Sequence, residues 1–141
     1  MEPPETGASA DAGVPLERVA ELLTAVAEPT RLRILALLKE GEVCVCHIHE
    51  SLKIPQPKAS RHLAYLRRAR LVGTRREGLW VHYRLAEDLP APLRQVLDAV
   101  LVSLDSVAEI SRDAVRLEAR TGRARVARLT ARLRRPEMGL T

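Results

Sequence analysis

The 141-residue chain contains no Phe, and one Trp with two Tyr brings its aromatic content to only 2%. A core without aromatic plates has to be built from Leu, Val, Ile and Ala, a composition that favours packed helices. The hydrophobic content of 46% suffices for one modest core and argues against disorder. Cysteine is nearly absent too. Cys44 and Cys46 are the only two, which excludes a disulfide framework, and a one-residue spacing suits no strain-free bridge, so both are read as reduced thiols. Lysine occurs only at Lys39, Lys53 and Lys58, leaving Arg as 20 of the 23 basic residues, a bias that GC-rich codon usage explains as well as function does. Residues 1–14 lack a basic start and an apolar run. They predict a flexible tail rather than a secretory signal or membrane anchor, and with it a cytoplasmic protein that has no membrane partner.

The net charge of +5 and a sequence pI near 9.9 fit a polyanionic partner, but equally a merely basic surface. The organisation of the chain is more informative. Apolar residues from Leu16 to Val26 recur at helical spacing. Glu28-Pro29 opens a second helix that runs to Gly41, apolar on several sides and therefore central. Val43 to Leu52 reads as a short helix or irregular turn, stopped at Ile54-Pro55. A further helix spans about Gln56 to Arg70. The period then changes to two: Leu79, Val81, Tyr83 and Leu85 alternate with Trp80, His82 and Arg84, and pair with Val72 to Arg75 as a β-hairpin whose tip carries Arg75 and Arg76. Pro90 and Pro92 open a long helix with a four-three seam at Leu93, Leu97, Val100, Leu104 and Val107. Residues 112–135 hold nine Arg against Asp113 and Glu118; such a run can add DNA contacts or extend a dimer helix, and by default is a solvated tail. The domain reading is a tail over 1–14, a folded domain over 15–110 and an Arg-rich extension over 111–141.

Two stretches carry chemistry. Cys44, Cys46, His47 and His49 concentrate soft-ion ligands in six residues, and thiolates select soft ions. On a regular helix, residues two apart point about 200° away from each other, so joint ligation by Cys44 and Cys46 predicts a distorted helix start. Ten residues on, Gln56-Pro57-Lys58-Ala59-Ser60-Arg61-His62 reads as the beginning of a DNA-reading helix. Gln56 and Ser60 suit base edges, and Lys58 and Arg61 suit phosphates or guanine. Arg75 and Arg76 suit phosphates beside the groove. His62 is expected to be structural.

Helix, helix, short helix, turn, helix, hairpin, helix is the order of a winged helix-turn-helix. The motifs Ala27–Leu35, Glu42–Cys46, Gln56–Leu63 and Gly78–Leu85 resemble the ArsR/SmtB family of metalloregulatory repressors, most nearly its arsenic-sensing branch. The resemblance spans roughly residues 19–104. It implies a mainly α fold with a β-hairpin wing, a homodimer burying Leu16, Val19, Leu93, Leu97, Val100 and Leu104, and an inverted-repeat operator. It further implies release from DNA when trivalent arsenic or antimony binds Cys44 and Cys46. That branch typically carries a third cysteine where this chain has His49, so zinc or cadmium held by mixed sulfur and nitrogen ligands competes as inducer. The zinc site of the family's last helix is excluded, because no His follows His82.

Three other classes stand beside this reading, one of them a non-sensing DNA-binding protein whose cysteines merely pack. A thiol-redox repressor of the same fold would answer to peroxide. A Cys-His enzyme lacks an orienting acid and an oxyanion donor, so no enzymatic activity is expected.

Overall fold

The computed structural model describes residues 13–122, and its elements follow the local chemistry closely. Helix α1 spans Leu16–Val26. Helix α2, Pro29–Leu37, starts where Glu28 caps it: the carboxylate accepts the Arg31 amide at 2.9 Å, and Pro29 occupies the first turn, where its missing N–H costs nothing. After a 3-10 turn at Leu38–Glu40 come strand β1, Val43–Cys44, helix α3, Val45–Leu52, and helix α4, Gln56–Arg68. The hairpin is β2, Val72–Glu77, and β3, Trp80–Leu85; it turns at Gly78, whose φ of +62° suits glycine. Helices α5, Ala91–Ser103, and α6, Ala108–Thr121, complete the described chain. None of the described helices is long and apolar enough to cross a membrane.

The sheet order is β1-β3-β2, antiparallel, with Val43 opposite Tyr83 and Cys44 opposite His82. The core is aliphatic, as the absence of Phe requires: Leu22, Ile34, Leu35, Ile48, Leu63, Leu66, Leu93 and Leu97 are all fully buried. Helix α2 runs through its centre, touching α1, α3, α4, α5 and α6.

Three expectations are corrected. The helix from Pro90 does not continue through Val107. It ends at Leu104, turns through hydrogen bonds from Asp105 N to Val102 O and Val107 N to Leu104 O, and reverses as α6. Lys39 holds the turn through Asp105 at 2.8 Å. Second, Leu93 and Leu97 are fully buried in the chain's own core rather than standing on an open seam. Val100 and Leu104 are half-buried against that core, as is Val19, whereas Leu16 stands 78% exposed. Third, packing does not stop at residue 110. Helix α6 crosses that boundary and lies on α2 and α3, burying Asp113 and Leu117.

Asp113 explains why α6 docks. Its carboxylate takes two hydrogen bonds from Arg33, at 2.8 and 2.9 Å, and one from Arg116 at 2.9 Å. The same arginines donate to the last carbonyls of α3: Arg33 to Leu52 O at 2.8 Å and Arg116 to Ser51 O at 2.6 Å. A buried carboxylate is tolerated only when paired in this way. Of the residues called an Arg-rich extension, those from 123 onward lie outside the described residues, as do residues 1–12 of the expected tail.

Candidate functional site

Cys44 is the last residue of β1 and caps α3, while Cys46 stands in the first turn of that helix. Because Cys44 has extended backbone (φ −69°, ψ 144°), the two side chains are not related by helical rotation. Their sulfurs meet, with the Cys46 thiol donating to Cys44 Sγ at 3.1 Å. The expectation that both sulfurs can converge only if the helix start distorts is therefore corrected: a strand-to-helix junction already brings them together. Burial, and then the Cys44 contact, push the Cys46 thiol up to about 11, so at neutral pH it is protonated until an ion or base removes the proton.

His47 and His49 are half-buried on α3. Among the described residues, no group of three or more His, Cys, Asp and Glu side chains is placed to hold a metal ion, so neither imidazole closes on the thiol pair. The site in hand is two sulfurs.

Helix α4 presents its N-terminal turns outward. Gln56 and Arg61 are exposed, Lys58 and Ser60 half-exposed, and Ala59, Leu63 and Leu66 anchor the opposite side in the core. The helix is also held from behind. Arg31 donates to Ala25 O at 2.6 Å and lays its guanidinium 4.0 Å from the centre of the Tyr65 ring, a cation–π contact. His62 lies within 3.4 Å of Arg31 and 3.8 Å of Glu28, and its burial, only partly offset by Glu28, lowers its pKa. It is a packing residue, in agreement with its structural reading.

In the wing, Arg75 and Arg76 are not the tip. Gly78 and the 92%-exposed Leu79 form the turn. Arg75 reaches across β3 to Glu42, with contacts of 2.7 to 3.1 Å, and lowers that carboxyl's pKa; Arg76 projects freely by comparison. The Glu42–Arg75 pair and the Cys44–His82 register tie the thiol strand to the wing. Sequence periodicity missed both, since a two-residue strand has no period to read. For Asp113 a signal existed: it is one of two acids among nine arginines in its stretch, with Arg116 three residues on, the spacing of a helical ion pair.

Residues 28–74 match the model of the bacterial regulatory protein, arsR family. The arsenical resistance operon repressor of Escherichia coli (strain K12) is 47% identical over 79 residues, 55% of this chain and 68% of that protein. The chain belongs to the arsR family. As an ArsR-family protein it is a winged helix-turn-helix transcription repressor that binds DNA and is not an enzyme. The transcriptional repressor SmtB of Mycobacterium tuberculosis (strain ATCC 25618 / H37Rv) is 42% identical over 85 residues, 60% of this chain and 62% of that protein. Among solved structures, a homodimeric winged helix-turn-helix DNA-binding domain from Mycobacterium bovis, a possible ArsR-family transcriptional regulator, superposes with a TM-score of 0.56 at 34% identity, covering 67% of this chain and 84% of that one. The family match begins at Glu28, the cap of α2, and ends in β2, so it contains α2, α3, α4 and the thiol pair.

Proposed function

We propose that this ArsR-family chain represses transcription as a cytoplasmic homodimer on an inverted-repeat operator, and leaves the DNA when trivalent arsenic or antimony bridges Cys44 and Cys46. The observation that carries this reading is the 3.1 Å contact of the two sulfurs at the junction between the wing-paired strand and the helix preceding α4. An ion bonded to both sulfurs replaces the thiol hydrogen bond and resets the angle between β1 and α3. Strand β1 is paired to the wing and α3 packs on α4, so the change reaches both DNA-reading elements. Release requires that the ion bind the reset geometry more tightly than the DNA-competent one. The name of the Escherichia coli relative supports the arsenical reading.

On the DNA side, Gln56 and Ser60 read base edges and Lys58, Arg61 and Arg76 hold phosphates. Arg75 serves first as the partner of Glu42. The dimer forms through exposed apolar residues of α1 and α5, with Leu16 and Val102 foremost. Truncation after Gly122 tests the Arg-rich residues beyond it for phosphate contacts, which a lower salt slope of DNA binding would report.

The test is fluorescence anisotropy of a labelled DNA fragment from upstream of this protein's gene, titrated with reduced protein with and without arsenite. Arsenite should weaken binding of the native chain and leave a Cys44→Ser/Cys46→Ser protein unaffected. Equal binding in all four conditions overturns the reading. The sulfur contact also favours a thiol-redox switch, for which peroxide rather than arsenite would release the DNA. Release by zinc or cadmium alone would point to the borderline-ion reading, with His47 or His49 recruited.

A further inference from the structure

At the far end of α4 lies a cavity of about 630 Å³ whose charged lining is four arginines, Arg18, Arg67, Arg70 and Arg84, against Glu87 and Asp88. The arginines come from α1, the C-terminus of α4, the residue after its cap, and β3. Two are fixed in place by backbone carbonyls: Arg18, 11% exposed, donates to Ala69 O at 3.0 Å, and Arg84 donates to Thr74 O at 3.2 Å. Arg18 also meets Glu21 at 3.3 Å and Arg84 meets Glu87 at 3.9 Å, both carboxylates being well exposed. Among the described residues, Arg67 and Arg70 make no ion pair or side-chain hydrogen bond.

Two backbone features shape the lining. Arg70 holds φ +63°, a left-handed position after a helix that glycine or asparagine usually fills. The position closes the C-terminus of α4, with Leu71 N donating to Leu66 O at 3.0 Å, and turns the Arg70 side chain to the cavity lining. Gly73, inside β2, lies under the Arg84 guanidinium: a Cβ there would stand 3.1 Å from its carbon and one nitrogen. Glycine therefore lets the Arg84 guanidinium lie close over the strand, where it lines the cavity while one nitrogen holds Thr74 O. Helix α5 begins at the wall, with Pro90 in the lining, and its positive dipole end adds to the potential.

We propose that this cavity binds a small phosphate-type oxyanion, at a site separate from the DNA-reading face and from the thiol pair. Guanidinium forks match the tetrahedral oxyanion bidentately, and the size suits a small molecule rather than a duplex. Location argues against the DNA backbone. The 13 residues of α4 put the cavity about 20 Å from the helix end that enters the groove, and the six-residue strands put it a similar distance from the wing tip.

The probe is inorganic phosphate, titrated by calorimetry into the full-length reduced protein in excess chloride, with sulfate as control. Saturable, chloride-resistant phosphate binding is expected, weakened at least about tenfold by Arg67→Gln and by Arg70→Gly. Arg70→Gly should leave the thermal midpoint unchanged or higher, since it relieves the left-handed position, so its loss of binding cannot be ascribed to unfolding. Phosphate and sulfate displaced alike by chloride would mean an adventitious ion only, and would overturn the proposal. So would native-like phosphate binding in both variants. If Arg67→Gln instead lowers the salt slope on a random-sequence duplex by about one while phosphate never binds, the cavity serves the DNA backbone and the small-anion site is refuted.

Discussion

Cys46 donates a hydrogen bond to Cys44 across 3.1 Å although one residue caps a helix and the other sits in its first turn. The pair is pre-assembled and protonated at Cys46, a storage form that an ion has to deprotonate.

In the metal-free protein, alkylation of Cys46 by iodoacetamide should therefore climb steeply as pH rises from 9 toward about 11. The folded value lies above the ordinary 9.0, so the linked stability is fully present below pH 9 and is lost as pH rises through that window. Peptide mapping by mass spectrometry follows the rate; a plateau reached below pH 9 would contradict the protonated resting pair.

Asp113→Ala should destabilise the fold by roughly 3–5 kcal/mol, because it leaves Arg33 buried without its carboxylate. Urea unfolding reads the loss. A change below 1 kcal/mol would show that α6 is not held by this carboxylate. Truncation after Ser111 carries the same defect, so a DNA-binding role for the distal arginines has to be tested by cutting after Gly122.

Leu97 and Leu16 should behave oppositely. Leu97→Ala opens the monomer core and costs about 2–5 kcal/mol of stability. Leu16→Glu leaves the core intact and shifts the dimer toward monomer, as sedimentation equilibrium would record. Monomerisation by the Leu97 change with no loss of stability would reverse the assignment.

The two wing arginines should separate as well. Arg76→Ala lowers the salt slope of DNA binding by about one phosphate contact, whereas Arg75→Ala, whose guanidinium is already engaged by Glu42, changes it less. Equal slopes for the two variants would remove the distinction.

His62 has a pKa below its ordinary 6.5, chiefly through burial. As pH falls through 6.5 the unfolded chain takes up the proton first, and stability declines until the folded value is passed. In His62→Gln that part of the decline should vanish, as urea midpoints at about pH 7.5 and 5.5 would reveal.

Much of this architecture is legible in the residues. Helices α1, α2 and α4 announce themselves through apolar spacing and through Pro29 and Pro57 in their first turns, and the hairpin through its period of two around Gly78. The α5–α6 reversal is hidden because Leu104 and Val107 extend the apolar spacing across the break, while the turn is held by its own backbone hydrogen bonds and by the tertiary Lys39–Asp105 contact. The thiol geometry is hidden for a related reason. Helical rotation separates Cys44 from Cys46, and what unites them is a two-residue strand that exists because β3 is there to pair with it. Asp113 reads as one exposed acid in a basic run until α2 supplies Arg33 beneath it.

The contact between Arg33 and Asp113 joins positions 80 residues apart. A ribosome delivers α2, α3 and the whole DNA-reading unit before it delivers the carboxylate that neutralises their shared arginine. Until then Arg33 has the Leu52 carbonyl but no carboxylate, and Ser51 O lacks Arg116; the arrival of α6 closes the longest loop in the described fold among its buried ion pairs. Vectorial synthesis thus delivers the carboxylate that pairs Arg33, and the arginine that caps Ser51 O, only after the thiol-bearing helix they support.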